Sequence, residues 1–391
     1  MKLKKTIQCY DIEGVPHLLP FGQGITEHVK GLATNEVGQM LWTMLSQGAS
    51  RDELLGSMMQ YFEATAEDLP LLEADLDAFL ASLSQHGFFE DKWQEAAPNE
   101  AAKRVSIGPL RIDLSVPTPV YETYFVPFAA KSCDAPYAKP DQVVRFCDHR
   151  TPCHPIGTVL VRNDEVLIME SEELYVILPL QGKYVKEIHC TKDGANATLY
   201  GRYDASAACL EEIFSAIRFG FLILAQAKGL SVMHSASLLY QGRAWLFSGP
   251  SGTGKSTHVR LWQEQFGTPC LNGDLNLLGC KNGQAICYGL PWCGTSGISA
   301  PGEYPLGGIT FLKQAPVDRV QALSKEQFIL AAARRMITPN WTASLLQSSL
   351  DQAKALSRCV PGFLLECTKH PSAAETMKHA IDAVCEGQVP S

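Results

Sequence analysis

No apolar run in this chain is long enough to span a bilayer; the longest, around Phe219-Gly220-Phe221-Leu222-Ile223-Leu224-Ala225, falls far short. The basic start Met1-Lys2-Leu3-Lys4-Lys5 leads into no such run either, so it is a poor signal peptide. A cytoplasmic protein without membrane contact is the expectation. Positive charge is also short. Against 41 Asp and Glu stand 33 Lys and Arg, a formal net charge of −8, and no arginine–aromatic stripe occurs, which argues against nucleic acid as a partner. The thirteen cysteines are odd in number and, in a cytosolic chain, read as reduced thiols rather than a disulfide framework. Cys147, His149, Cys153 and His154 have the residue types of a zinc site but neither C-x-x-C nor H-x-x-x-H spacing. Buried or incidental thiols are the preferred reading of that cluster.

What is present is a phosphate loop. Gly249-Pro250-Ser251-Gly252-Thr253-Gly254-Lys255-Ser256-Thr257 fits G-x-x-x-x-G-K-[ST]. Glycines let the backbone wrap phosphate oxygens so that successive N–H groups point inward, and the following helix presents its positive end to the same anion. Lys255 would reach the β- and γ-phosphates of ATP, and the Ser256 hydroxyl would hold Mg²⁺. The context fits: Ala244-Trp245-Leu246-Phe247 reads as a buried strand before the loop, and Val259, Trp262 and Phe266 recur at helical spacing after it.

At 391 residues the chain is long enough for two or three domains. Residues 1–95 read as a small separate domain with three helical stripes. Val37, Met40, Leu41, Met44 and Leu45 form the first; the second follows a capping box at Ser50-Arg51-Asp52-Glu53; Leu72, Leu76, Phe79, Leu80 and Leu83 form the third. Gly87 ends that helix, and Phe88-Phe89 reads as the start of a strand. Short helices with flanking strands suggest a winged-helix-like unit, yet it is acidic, against phosphate contacts. The run Thr34-Asn35-Glu36-Val37 through Leu41-Trp42, the Leu54-Leu55 helix, and Leu76-Asp77-Ala78-Phe79-Leu80 leading to Gly87-Phe88-Phe89-Glu90 resemble the PqqD family of peptide chaperones, over most of residues 1–92. That resemblance implies capture of a precursor's leader peptide as an added strand.

Residues 93–104 read as a linker. From 105 to 205, short apolar runs such as Leu110–Leu114, Val166–Met169 and Leu174–Leu178 predict a mostly antiparallel β section. A helix is expected near Ala208–Ala227, a nucleotide-binding core over 230–315, and a helical tail over 320–391 with one strand-like run at Gly362–Glu366. The fold class is thus α/β (α+β overall).

His234-Ser235-Ala236-Ser237-Leu238-Leu239-Tyr240 leads through Gln241-Gly242-Arg243 into the loop strand, as a β-hairpin would. Histidine, hairpin, strand and phosphate loop in one register, Met233-His234 to Ser256-Thr257, resemble HPr kinase of the phosphoenolpyruvate carboxykinase-like superfamily. The layout of 105–390 is similar, with sharp motifs over 233–312. The resemblance implies an ATP- and Mg²⁺-dependent kinase. It also implies paired aspartates after the loop helix, one a base toward the substrate hydroxyl and one on the metal. Here the pair reads Gly273-Asp274, with Asp274 matching the metal-side member. Asp274 does both jobs, or His234 assists, or catalysis is weak. Ser256 and Asp274 are the metal candidates, and Asp274, His234 and Lys255 the catalytic ones.

The run Tyr288-Gly289-Leu290-Pro291-Trp292-Cys293-Gly294-Thr295-Ser296-Gly297-Ile298-Ser299 is a glycine-rich loop, which the resemblance to HPr kinase implies lies near nucleotide and acceptor, with Trp292 either stacked on a base or substrate or packed in the core. Together these readings predict phosphorylation of a Ser or Thr hydroxyl on a ribosomally made precursor peptide or protein. The alternatives are a nucleotide-binding delivery module without kinase activity, a small-metabolite kinase or carboxykinase relative, and, most weakly, a DNA-binding regulator.

Overall fold

The structure is a computed structural model that describes residues 3–22, 25, 30–65, 68–89, 102–130, 139–148 and 157–387. It divides into two units, one built on residues 1–95 and the other on 96–149 and 158–391. His149, Cys153 and His154 lie outside the described residues. Cys147 ends a strand, and among the described residues no group of three His, Cys, Asp or Glu is placed to hold a metal.

In the smaller unit, strands β1 (Ile7–Ile12) and β2 (Val15–Pro20) form a hairpin, and β3 (Leu32–Ala33) pairs with β2. Glu13 and Gly14 both have positive φ at the hairpin turn, which matches the twist of the flanking strands. Helices Glu36–Ser46, Arg51–Tyr61 and Leu69–Gln85 follow, the second opened by the expected capping box at Ser50. Their apolar stripes bury Leu41, Trp42, Leu54, Leu76 and Leu83 against Leu18 and Phe88. The strand expected at Phe88 is a single bridge between Leu3 and Phe89.

The larger unit is a mixed α/β structure with two large sheets. The first has eight strands in the order β4 (Lys103–Ile107), β5 (Leu110–Ser115), β6 (Gln142–Cys147), β11 (Asn196–Gly201), β10 (Val185–Thr191), β9 (Leu174–Pro179), β8 (Val166–Glu170) and β7 (Thr158–Arg162). It is antiparallel except where β6 runs parallel to β5 and β11. Helix Ala207–Ala227 covers it, burying Ile213, Ile217, Phe221 and Leu224. Each such side chain contributes about 1.5–3 kcal/mol of burial. No helix of the described residues is long and apolar enough to cross a membrane.

The second sheet carries the phosphate loop. Its path runs β13 (Arg243–Ser248), β12 (Ser231–Tyr240), β15 (Leu275–Lys281), β16 (Gln284–Tyr288), β17 (Glu303–Gln314), β19 (Gly362–Cys367) and β18 (Arg319–Ala322), with β14 (Cys270–Asn272) on β12. Two long strands change partners. The first residues of β12 pair with β15 and the rest with β13, while β17 pairs first with β16 and then with β13. Gln241 and Gly242, both at positive φ, close the tight hairpin expected from the sequence. Gly307 and Gly308 in β17 leave room for the Trp245 indole, into which a Cβ at either position would run. The segment read as a helical tail holds helices Lys325–Ala333, Ala343–Cys359 and Pro371–Cys385, and the strand-like run expected at Gly362–Glu366 is β19, parallel to β17 inside the sheet.

Candidate active site

Strand β13 ends at Ser248, and the chain turns through 249–254 into helix Lys255–Phe266. Gly252 (φ +78°) and Gly254 (φ +104°) are left-handed, and open space surrounds the place a Cβ would take, so backbone conformation alone demands glycine. The N-cap of the helix is Gly254, which has no side chain to bond the first-turn N–H groups. Those donors lack intrahelical acceptors and face the loop, the arrangement that suits an anion. Thr253 Oγ1 donates to Pro250 O (2.7 Å), and Lys255 Nζ folds back onto Gly249 O (3.1 Å) and Pro250 O (3.3 Å).

His234 sits where β12 changes partners. Its carbonyl accepts from Ser248 Oγ (2.7 Å), tying it to the end of the loop strand, and its N–H donates to Arg335 O (2.9 Å). A buried network lies behind it: Ser237 Oγ donates to Asn276 Oδ1 (2.6 Å), and Asn276 Nδ2 donates to Ser235 O (2.6 Å). Across the strand pair, His234 Nε2 stands 3.1 Å from Asp274 Oδ1.

Asp274 lies in the turn between β14 and β15. Buried Asn272 builds that turn, its Oδ1 accepting from the N–H groups of Asp274 (2.8 Å) and Leu275 (3.0 Å). Its Nδ2 donates to Leu290 O (3.0 Å) and Trp292 O (3.3 Å), so one side chain aligns the carboxylate and anchors the glycine-rich run. The hydrogen bond from His234 holds the Asp274 carboxyl below its usual range, with help from the charges of His234, Arg218 and Lys255 and against the effect of burial. Burial, with the nearby Arg335 charge, lowers the Lys255 ammonium, and Asp274 opposes this. Burial likewise lowers the Arg218 guanidinium against the pull of Asp274.

Gly273 is in close contact with the opposite wall. A Cβ there would overlap the Cβ and Oγ of Ser296, whose hydroxyl donates to Cys293 O (2.6 Å). A Cβ on Gly294 would likewise crowd Asp274. Trp292 is core: it is buried, donates from Nε1 to Phe214 O (3.0 Å) and packs on Phe214 and Phe221.

These walls enclose a cavity of about 450 Å³. His234, Ser251, Gly252, Gly254, Lys255, Ser256, Thr257 and Asp274 line it, with Gly273, Cys293, Thr295 and Ser296. Gly249, Pro250 and Thr253 are bonded within the loop and are not part of the lining. Ser256 and Asp274 offer a hydroxyl and an ionised carboxylate, hard oxygen donors that fit Mg²⁺, which takes few protein ligands beside substrate phosphates. Sequence reasoning missed Arg218, Arg335 and Asn272, and it named Ser296 only as part of the glycine-rich run. Asn272 alone had a local signal, an Asn two residues before an Asp at a strand end.

No family model matches the chain, and no curated protein does. Among solved structures, the chain is similar to TbiB1 in complex with the TbiA(beta) leader peptide, at 22% identity and a TM-score of 0.20, covering 24% of this chain and all of that one. It is also similar to the HPr(Ser) kinase/phosphatase from Coxiella burnetii, at 14% identity and a TM-score of 0.26, covering 40% of this chain and 93% of that one.

Proposed function

We propose that the larger unit is an ATP- and Mg²⁺-dependent kinase that phosphorylates a Ser or Thr hydroxyl of a ribosomally made precursor peptide or protein in the cytoplasm. The observation that carries this reading is the meeting of Lys255 and the His234–Asp274 pair on one cavity at a phosphate loop. The backbone N–H groups of 250–256 and Lys255 neutralise the phosphate oxygens, and positioning supplies most of the catalysis. Ser256 and Asp274 would hold Mg²⁺, which adds further charge neutralisation. The acceptor hydroxyl enters on the Asp274 side and gives its proton to the carboxylate, with His234 Nε2 facing it at 3.1 Å. As the new O–P bond forms, the bond from the γ-phosphorus to the bridging oxygen breaks, and ADP leaves with the electron pair.

The smaller unit holds the leader as a strand added to the sheet β1–β2–β3, whose hairpin exposes Tyr10, Ile12 and Val15. Tethering raises the local concentration of the peptide at the cavity. Labelled ATP, Mg²⁺ and a leader-bearing precursor peptide test the reading. Label on a peptide hydroxyl supports it, and no label on any peptide despite ATP binding overturns it.

One observation favours a second reading, a nucleotide-binding delivery module. Ser296 packs where a base aspartate at position 273 would need space. Turnover that disappears in Asp274→Asn while ATP affinity remains separates the kinase from the module.

A further inference from the structure

Five hydroxyl side chains line the cavity, and they fall into two groups. Ser251, Ser256 and Thr257 belong to the phosphate loop and its helix, the side on which a nucleotide's phosphates would lie. Thr295 and Ser296 come from the other wall, in the glycine-rich run against Gly273 and Asp274. On the kinase reading the acceptor stands on the Asp274 side, which Ser296 adjoins through Gly273. The chain places its own hydroxyls there.

We propose that Ser296 is a phosphoryl acceptor of the site it lines, modified within the same chain. Ser296 is the better placed of the two hydroxyls, because its Cβ and Oγ rest on Gly273, one residue from Asp274. Its hydroxyl is bound only within its own loop in the contacts described, donating to Cys293 O (2.6 Å) and accepting from Ile298 N (3.2 Å). Rotation about χ1 releases the first of these, so one bond within the loop is all that opposes reorientation of Oγ. Gly294 (φ +59°) and Gly297 (φ +65°) bracket the Thr295-Ser296 pair, so the turn holding it can re-form at low conformational cost.

The step balances with a nucleoside triphosphate as co-reactant. Ser296 Oγ bonds to the γ-phosphorus, the bond from that phosphorus to the β,γ-bridging oxygen breaks, and the nucleoside diphosphate leaves with the electron pair. The hydroxyl proton passes to Asp274. The products are phosphoserine and a nucleoside diphosphate. A serine hydroxyl takes one phosphoryl group, so the reaction stops after one event per chain. This inference rests on the kinase reading of the same cavity.

The test incubates the full chain with ATP and Mg²⁺ and follows intact mass, with fragmentation to locate the modification and calorimetry to establish nucleotide binding. The expected result is one phosphoryl group at Ser296, appearing at a rate independent of protein concentration and lost in Ser296→Ala. Ser296→Thr, which keeps a hydroxyl, is expected to restore it and guards against a folding defect in the alanine variant. ATP binding without modification at Ser296 overturns the proposal and leaves the kinase reading standing. A rate that rises with protein concentration overturns the same-chain claim. No ATP binding overturns both.

Discussion

Gly273 and Ser296 share one space: the position a side chain would take at 273 is filled by the Ser296 side chain. Glycine at 273 is therefore matched to serine at 296 in the facing loop. Gly273→Asp is expected to destabilise the chain by about 1–3 kcal/mol, as overpacking does. Adding Ser296→Gly should recover most of that loss. Urea midpoints of the single and double variants check this; equal losses would show that another contact limits position 273.

Lys255→Met removes the ammonium that lies across the loop carbonyls at 3.1 and 3.3 Å. ATP affinity should fall at least tenfold, about 1.4 kcal/mol. Titration calorimetry with Mg²⁺ reads it directly, and unchanged affinity contradicts the placement of phosphates at this loop.

Asp274→Asn keeps the shape of the turn because Asn272 bonds the backbone N–H, not the carboxylate. Turnover should fall by about 100-fold or more, the typical share of a proton acceptor, while ATP affinity changes far less. Steady-state rates and calorimetry on one preparation check both halves.

His258 lies buried in the loop helix, where Trp262 Nε1 donates to its Nε2 (3.1 Å) and Phe247 packs on its ring. Burial pushes its pKa down to about 4. The folded state holds it neutral, and the unfolded chain binds a proton near pH 6.5. Its contribution to stability is complete above pH 6.5 and is lost as pH falls toward 4, by up to about 3 kcal/mol. His258→Gln should flatten stability over that window, as measured by denaturant titrations between pH 4 and 7.

Trp292→Phe removes the Nε1 hydrogen bond to Phe214 O and keeps most of the buried ring. A loss of about 1 kcal/mol in stability is expected. ATP affinity should not change, since a core indole touches no base; a clear drop in affinity would return Trp292 to the binding surface.

The phosphate loop was legible in the sequence because its function is backbone geometry over consecutive residues. The hairpin before it was equally legible, since Gln241-Gly242 and the apolar runs beside it are local. Asp274 and His234 were picked out through the resemblance to HPr kinase, but their 3.1 Å approach depends on β12 pairing with β15, which no local pattern encodes. Arg335 comes from a segment with no visible chemistry. It reaches the site through the bridge between Met233 and Met336 and the bond from His234 N to its carbonyl. Arg218 was hidden in a helix whose apolar stripe explains itself by packing. Strand β18 was missed because four residues at a sheet edge give too little alternation to notice.

Strand β19 lies beside β17, which in turn flanks the strand leading into the phosphate loop. A nascent chain that has made the loop but not residues 362–367 therefore has an unzipped sheet margin one strand away from the loop strand. Some hundred residues of translation separate the loop from the strand that covers this margin, and until then the exposed edge of β17 is what a holdase chaperone would meet.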